Sequence, residues 1–575
     1  MLVRLVLLFV VTCAVFAVGV TNGHLNLDDW GYTAGCAFVR GGLSPANVRA
    51  AFADLGHGGI WMPLTSVSYM ADFSLFGGGW TVHHAVNVFL HAVNAVLALL
   101  FLRGLLGARV RPWALFAAAL LWAVHPMRVE AVTWIASRKE ELWTLFGLSG
   151  LLVWTRFCTC GGWRLCLATL ALFVAAMLSK PTAVCLPVLA YLMARFVAPT
   201  APRRFRRYVP MLLLALGVGL VALVSQAHPT GREAVDLSDT TIGWRLLNAA
   251  VSLGLYVSHI VWPVGLRLDY RAIFGGWPLD GVQGLVVLVW TILLVGYASL
   301  KLKSAFARRL TLYAALSALV AVLPVLGLLG VTGDKAYADR YAYLPSVFLA
   351  LLVACALEAV ARRHVHVAVA LATCLAVGEI ALAVPTVRAF ASDRTIYARV
   401  LADDPDHWRA LRVLGGEACA RENRMAEGVA MLRKSLRLRP SASTVAALAY
   451  VLACRGEPGD FAEVRRLGHG VAESPRRDRE GLMLDALAIA AFREGDDEEA
   501  VRLFGAALTA PARSHNNLHA MLNFGFALAN VGRIREALDL FDKLRNVSDA
   551  GIRRRAASAA EQVRTGVFAR FAWQD

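Results

Sequence analysis

Charge is scarce in this sequence: only 17% of its 575 residues are Asp, Glu, Lys or Arg, against 58% hydrophobic, and the mean hydropathy is +0.56. So little charge cannot clothe a water-facing surface, which excludes a soluble globular protein and points to an integral membrane one. Acidic residues are the rarer sign, 41 against 58 Lys and Arg, for a net charge of +17. No nucleic-acid partner follows, because the basic residues stand in short tufts between apolar runs and not on one face with interleaved aromatics. The ten cysteines build neither a disulfide framework nor a metal centre. Cys158, Cys160 and Cys166 share one turn with no second pair at zinc spacing, and Cys419 and Cys454 read as core thiols. No cofactor is implied; a divalent metal is compatible with the sequence but nothing indicates one.

Apolar runs are what the chain has in plenty. The first, MLVRLVLLFVVTCAVFAVGV, is long enough for the roughly 30 Å hydrocarbon core, and TNGHLNLDD offers no small-x-small cleavage site, so a retained helix is expected. Further spans are expected at about 82–102, 112–125, 141–156, 163–179, 182–198, 208–227, 282–300, 309–331, 341–361 and 364–385, giving an all-α polytopic bundle of about eleven. With the N-terminus in the cytoplasm, each inside loop is basic: Arg103, Arg109 and Arg111; Arg156 and Arg164; Arg203, Arg204, Arg206 and Arg207; Lys301, Lys303, Arg308 and Arg309; Arg362 and Arg363. The long loop 21–81 and everything after Ala391 then lie outside. Trp244 to Pro263 could also span; laid in the outer interface, with Trp244 and Trp262 as anchors, it preserves the charge pattern, whereas a span there inverts the later topology.

From about residue 394 the pattern becomes that of soluble helix pairs, which divides the chain into a membrane domain, 1–393, and a repeat domain, 394–575. Gly428, Ala500 and Ala537 occupy the small-residue position where two helices of a tetratricopeptide unit cross. Leu432, Phe504 and Phe541 follow four residues on, and Gly495 and Gly532 mark the preceding turn. A degenerate unit is expected around Gly459 to Pro475, and the whole is a short α-solenoid.

The outer face collects polar groups that are costly at membrane helix mouths unless used. It carries NLDDWGYT with Asp28 and Asp29, then IWMPLT, HHAVNVFLHAVN, AVHPMRVEAVTWIASRKEE, SKP and DKAYADRYAYLP. Carboxylates and cations from distant loops thus meet one membrane surface, which could bind a lipid phosphate and deprotonate an acceptor beside it.

These blocks resemble the transmembrane and tetratricopeptide-repeat O-mannosyltransferases and their bacterial relatives, a branch of the GT-C membrane glycosyltransferases. The resemblance runs over nearly the whole chain: the early Asp-Asp, PLT, the H-x-V-N-x-x-L-H helix from His84 to His91, the block from Ala123 to Arg138, SKP, ADRYAYLP and the repeats. Two positions depart from it, Met62 before Pro63 where relatives often have His or Arg, and Arg128 where they often have His. The resemblance implies transfer of a sugar, a mannose-like hexose, from a polyprenyl-phosphate carrier to a protein hydroxyl on the extracytoplasmic side, here the periplasmic face of a bacterial inner membrane. It also implies inversion, with an acidic residue of the first outer loop as base and the repeats presenting the acceptor. Two other functions fit the pattern: a non-catalytic membrane scaffold recruiting partners through the repeats, and the same chemistry on a glycan or lipid acceptor.

Each candidate also has a bland reading. Either Asp28 or Asp29 could be a helix N-cap; two carboxylates exceed what capping needs, and Asp29 is favoured as base because it precedes Trp30, an interfacial anchor. Arg138 and Lys139 are either donor-phosphate ligands or snorkelling residues at a helix mouth. Lys180 has the same two readings, as a point charge. Arg340, oriented by Asp339 and flanked by Tyr341, could grip phosphate through two parallel bonds or serve as a structural ion pair. His84 and His91, with Asn87 between them, read as interhelical hydrogen-bonding residues and not as a metal site. His125 and Glu130 flank a Pro-broken turn and shape the cavity.

Overall fold

The computed structural model describes residues 1–575 except 56–59, 200–204, 227–240, 271–278, 329–336, 423, 473–479, 510–516, 546–549 and 567–575. Arg203, Arg204, Pro475 and the VTGDKA stretch before Tyr337 therefore lie outside the described residues. The chain forms two compact units, Met1–Arg399 and Val400–Asp575, and no strand occurs among the described residues.

Each of the eleven apolar runs contains helix among its described residues. Among the described residues, five helices are long and apolar enough to cross a bilayer by themselves: Leu2–Gly19, Trp80–Arg109, Gly281–Lys301, Ala305–Val325 and Val365–Ala389. A sixth span is broken, Pro112–Val124 and Pro126–Thr133 meeting at 53°. Proline explains the break, since Pro126 has no N–H to continue the ladder and its ring clashes with the preceding turn. The other runs form shorter or more polar helices, including Trp163–Ser179, Pro181–Val197, Val209–Ser225 and Pro345–Ala361. Arg138–Cys160 opens with four charges that no lipid-facing helix could carry, and all four are buried inside the protein. Large apolar side chains such as Leu2, Trp290, Leu293, Leu300 and Val377 point outward, an inverted surface that suits lipid and not water.

The run expected in the outer interface is a 20-residue helix, Ile242–Val261. It lies against Leu279–Lys301 with the backbones almost touching: a Cβ on Gly254 would stand 1.6 Å from the Gly284 carbonyl oxygen. Small residues permit this approach between apolar helices.

The second unit is a run of helix pairs, Trp408–Glu422 with Met425–Leu438, Ala442–Arg455 with Asp460–Ala472, Glu480–Glu494 with Asp497–Thr509, and Asn517–Asn530 with Ile534–Leu544. Gly459, Gly495 and Gly532 all adopt positive φ, +90°, +92° and +81°, each five residues before a fully buried crossing position, Val464, Ala500 and Ala537. The degenerate pair differs by an exchange of sizes. Val464 replaces the small residue and Gly468 replaces the large one, and at Gly468 a Cβ would already press on Leu487 at 3.1 Å.

Candidate active site

The first outer loop is held from two sides. Asn22 Nδ2 donates to the Val387 carbonyl at 3.0 Å, Gly23 N to Ala391 at 3.1 Å, and Asn26 N to Asp393 Oδ2 at 2.9 Å, tying the loop to the end of the helix Val365–Ala389. Asp29 holds the other side. Its Oδ2 accepts from Leu25 N and its Oδ1 from Ala136 N, both at 2.8 Å, and the residue is 1% exposed. Burial pushes its carboxyl up to about 7 against the opposing pull of those two N–H groups. Asp28, at the N-cap of the short helix Asp29–Tyr32, makes no capping bond and is only half-buried. Geometry thus separates the two carboxylates, Asp29 being committed to backbone N–H groups at both oxygens and Asp28 keeping partial exposure.

The turn that Asp29 grips, Ile135–Ser137, is fixed again by Tyr69, whose hydroxyl donates to the Ile135 carbonyl at 2.7 Å. Arg138 follows it and is wholly buried. Its Nε donates to Asn87 Oδ1 at 2.7 Å, one terminal nitrogen to the His83 carbonyl at 2.9 Å, and the other meets Asp72 Oδ2 at 2.7 Å, over the ring of Tyr69. With these donors taken, Arg138 is a joint between helices and not an open phosphate ligand. Asp72, which completes the joint, was not singled out in the sequence; His83 Nδ1 donates to its Oδ2 at 2.6 Å. Asp72 lies in an ordinary mixed helix, SYMADF, and only its burial at 3% exposure marks it.

A second cluster draws on four separate stretches of chain. Lys180 pairs with Glu140, Arg340 pairs with Glu130, and both cations lie over the ring of Tyr341, at 4.9 and 4.6 Å. Arg340 also donates to the Tyr341 hydroxyl at 3.2 Å, and its backbone N–H gives Glu130 a further bond at 2.9 Å. All four charged residues are at least nine-tenths buried, yet Arg340 Nε has no hydrogen-bond partner. The expected orienting partner, Asp339, turns elsewhere: successive residues of the 3-10 turn Asp339–Ala342 project in different directions. Asp339 accepts from the Tyr270 hydroxyl at 3.0 Å, and burial together with the neighbouring Glu130 charge holds its carboxyl well above the usual range. Lys139 lies apart from this cluster with its ammonium 4.7 Å from the ring of Tyr32, on the helix that Asp29 begins.

The histidines bind helices together. His84 Nε2 donates to the Gly23 carbonyl at 3.1 Å, which adds a tie to the Asp-Asp loop. His91 Nε2 donates to Ala123 at 2.9 Å while its Nδ1 accepts from the Tyr343 hydroxyl at 2.7 Å. His125 Nδ1 accepts from Met127 N and its Nε2 donates to Ile260. No group of three or more metal-ligating side chains converges among the described residues. Arg128 gives one terminal nitrogen to the carbonyls of Ala342 and Tyr343 at 3.1 and 2.9 Å, and so holds the DRYAYLP turn. Met62 is buried beside Tyr32, Cys36 and Asp54 around a small cleft in the outer loop.

No family model and no solved structure matches the chain. It is similar to a protein O-mannosyl-transferase of Caenorhabditis elegans, 25% identical over 310 residues, 51% of this chain and 42% of that protein. Protein O-mannosyl-transferase Tmtc1 of Drosophila melanogaster is 35% identical over 133 residues, 23% of this chain and 15% of that one. Human protein O-mannosyl-transferase TMTC2 is 34% identical over 103 residues, 18% and 12% of the two chains. The chain thus spans less than half the length of these relatives. Their names agree with the resemblance seen in the outer-face blocks, and they come from animals.

Proposed function

We propose that this integral membrane protein is a GT-C-type glycosyltransferase that moves a hexose, mannose by the names of its relatives, from a polyprenyl-phosphate carrier to a hydroxyl of a protein on the extracytoplasmic side. The observation that carries the reading is the convergence of Lys180 and Arg340, far apart in sequence, on Tyr341, with Arg340 Nε left without a partner. Two cations around one aromatic ring suit a phosphate held by charge-assisted bonds. In the reaction Asp28 takes the acceptor hydroxyl's proton as that oxygen attacks the anomeric carbon and forms the new C–O bond. The bond from that carbon to the phosphate oxygen breaks with its electron pair, the carrier leaves as a phosphomonoester with one more negative charge, and the configuration inverts. Asp29 positions Asp28 by pinning the loop to Ala136, Arg138 holds the bundle beneath it, and Lys139 lies beside that helix. The helix pairs after residue 393 present the acceptor polypeptide, as stacked helical repeats offer an extended concave surface. No metal is invoked.

The test is to incubate purified protein with polyprenyl-phosphate mannose and an acceptor protein and to follow release of lipid phosphate. Lys180→Ala and Arg340→Ala should each weaken donor binding roughly tenfold to hundredfold, about 1.5–3 kcal/mol; each also leaves a buried carboxylate without its cation and should lower the melting temperature, so binding is compared in variants shown to be folded. Absence of release with any sugar of a polyprenyl-phosphate panel would return the chain to a scaffold.

A further inference from the structure

The charges around Tyr341 balance. Lys180 and Arg340 supply two positive charges, Glu140 and Glu130 two negative ones, and the pairs are direct contacts. Their side chains are 8%, 6%, 1% and 3% exposed, so water does little to screen a surplus of either sign. The neighbouring carboxyl of Asp339 is hydrogen-bonded to the Tyr270 hydroxyl, and burial together with the Glu130 charge holds it well above the usual carboxylate range. A site of this kind meets an incoming anion with an Arg340 Nε that no group claims and with no surplus positive charge.

The two lipids that the reaction exchanges differ in charge. A sugar-bearing carrier is a phosphodiester with one negative charge; the spent carrier is a monoester with about two at neutral pH. Each uncompensated charge taken into a buried site carries a desolvation cost that grows with the charge.

We propose that Glu130 and Glu140 are specificity-determining residues: by neutralising the two cations they make the site accept the singly charged phosphodiester and reject the doubly charged phosphomonoester, so that the product is expelled by the charge it gains in the reaction. This rests on the donor-site reading above. The carboxylates that look like waste, each cancelling a cation built to hold phosphate, set the charge the site tolerates. Without them the two cations would hold the product most tightly and turnover would stall on release.

The test compares two probes with the same polyprenyl chain, a methyl phosphodiester and the monophosphate. Each is titrated into the full-length protein in nanodiscs at pH 8, where the monophosphate is a dianion. The wild type should bind the diester at least tenfold more tightly than the monophosphate. Glu140→Gln, which frees Lys180, should tighten the monophosphate by tenfold or more, move the diester less, and so close the gap. Equal binding of the two lipids by the wild type, or a tighter monophosphate, overturns the charge-matching role while leaving the donor site intact. A gap that survives undiminished in folded Glu140→Gln does the same. If Glu140→Gln fails to fold, the wild-type comparison still decides. Binding of neither lipid overturns the donor-site reading and this inference with it.

Discussion

Replacing the two outer-loop aspartates one at a time separates chemistry from architecture. Asp28→Asn keeps the shape of the side chain and removes its basicity, so turnover should fall about a hundredfold to ten-thousandfold with donor affinity unchanged. Asp29→Asn acts differently. An amide oxygen can replace only one of the two acceptors, and the amide NH2 must then face the N–H of Leu25 or Ala136. A buried donor without an acceptor costs about 1–3 kcal/mol, which should appear as a lower melting temperature and as a moderate loss of turnover from a loosened loop. The pH dependence adds a signature. The folded Asp29 carboxyl is raised to about 7 from an ordinary 3.8, so between those values the folded chain holds a proton that the unfolded chain has released. Its contribution to stability is therefore complete below about 4 and is lost as pH rises towards 7. An amide at this position does not titrate, so the gap in melting temperature between wild type and Asp29→Asn should narrow from pH 4 to pH 7. Turnover measured by lipid-phosphate release, with melts in the same detergent, distinguishes the outcomes. Full activity of Asp28→Asn beside a folded, inactive Asp29→Asn would reverse the assigned roles, and full activity of both would refute a carboxylate base in this loop.

Three other outcomes are expected. Arg138→Ala leaves Asp72 buried beside His83 with no cation and should cost about 3–5 kcal/mol, seen as a large drop in melting temperature; an unchanged melt would deny the joint its structural role. Gly254→Ala places a methyl on the Gly284 carbonyl and should part the two helices there, so that a Ser258→Cys, Gln283→Cys pair, at positions where the Gln283 amide now donates to the Ser258 hydroxyl at 2.9 Å, should cross-link through a short bifunctional thiol reagent in the parent but not once Gly254→Ala is added. Reporter fusions after residues 35 and 400 should both read extracytoplasmic if Ile242–Val261 stays on the outer side; a cytoplasmic signal only at 400 means that this helix crosses.

Composition and periodicity made the all-helical membrane bundle legible, because apolar length is a direct measure of what a bilayer accepts. The outer-face blocks contain Lys180, Arg340, Glu130 and Tyr341, which lie together, but also Arg138 and Lys139, which lie elsewhere. Direction was what they could not convey. Lys180 and Arg340 meet, but the partner of Arg340 is Glu130, 210 positions away, and not the adjacent Asp339. Arg138 stands at the end of the most family-like block, yet its guanidinium is consumed by Asp72, Asn87 and His83. Neighbours across the fold decide whether a cation remains open to a ligand, and no local spacing encodes them. The position of Asp29 before Trp30 says nothing about its oxygens, which accept from the backbone N–H groups of Leu25 and Ala136.

The exchange of sizes at Val464 and Gly468 bears on how the second unit can change over time. Elsewhere a small residue precedes a large one by four positions, as at Ala500 and Phe504 or Ala537 and Phe541, and such units could be duplicated, deleted or shuffled with their surfaces still fitting. The helix Asp460–Ala472 is fitted to its neighbour through Leu487, so a larger residue at 468 requires Leu487 to give way by a few tenths of an ångström. Arg493, which donates to the carbonyl of Ala453, ties the same two pairs together a second time, so a change of register at this junction has to satisfy both contacts at once.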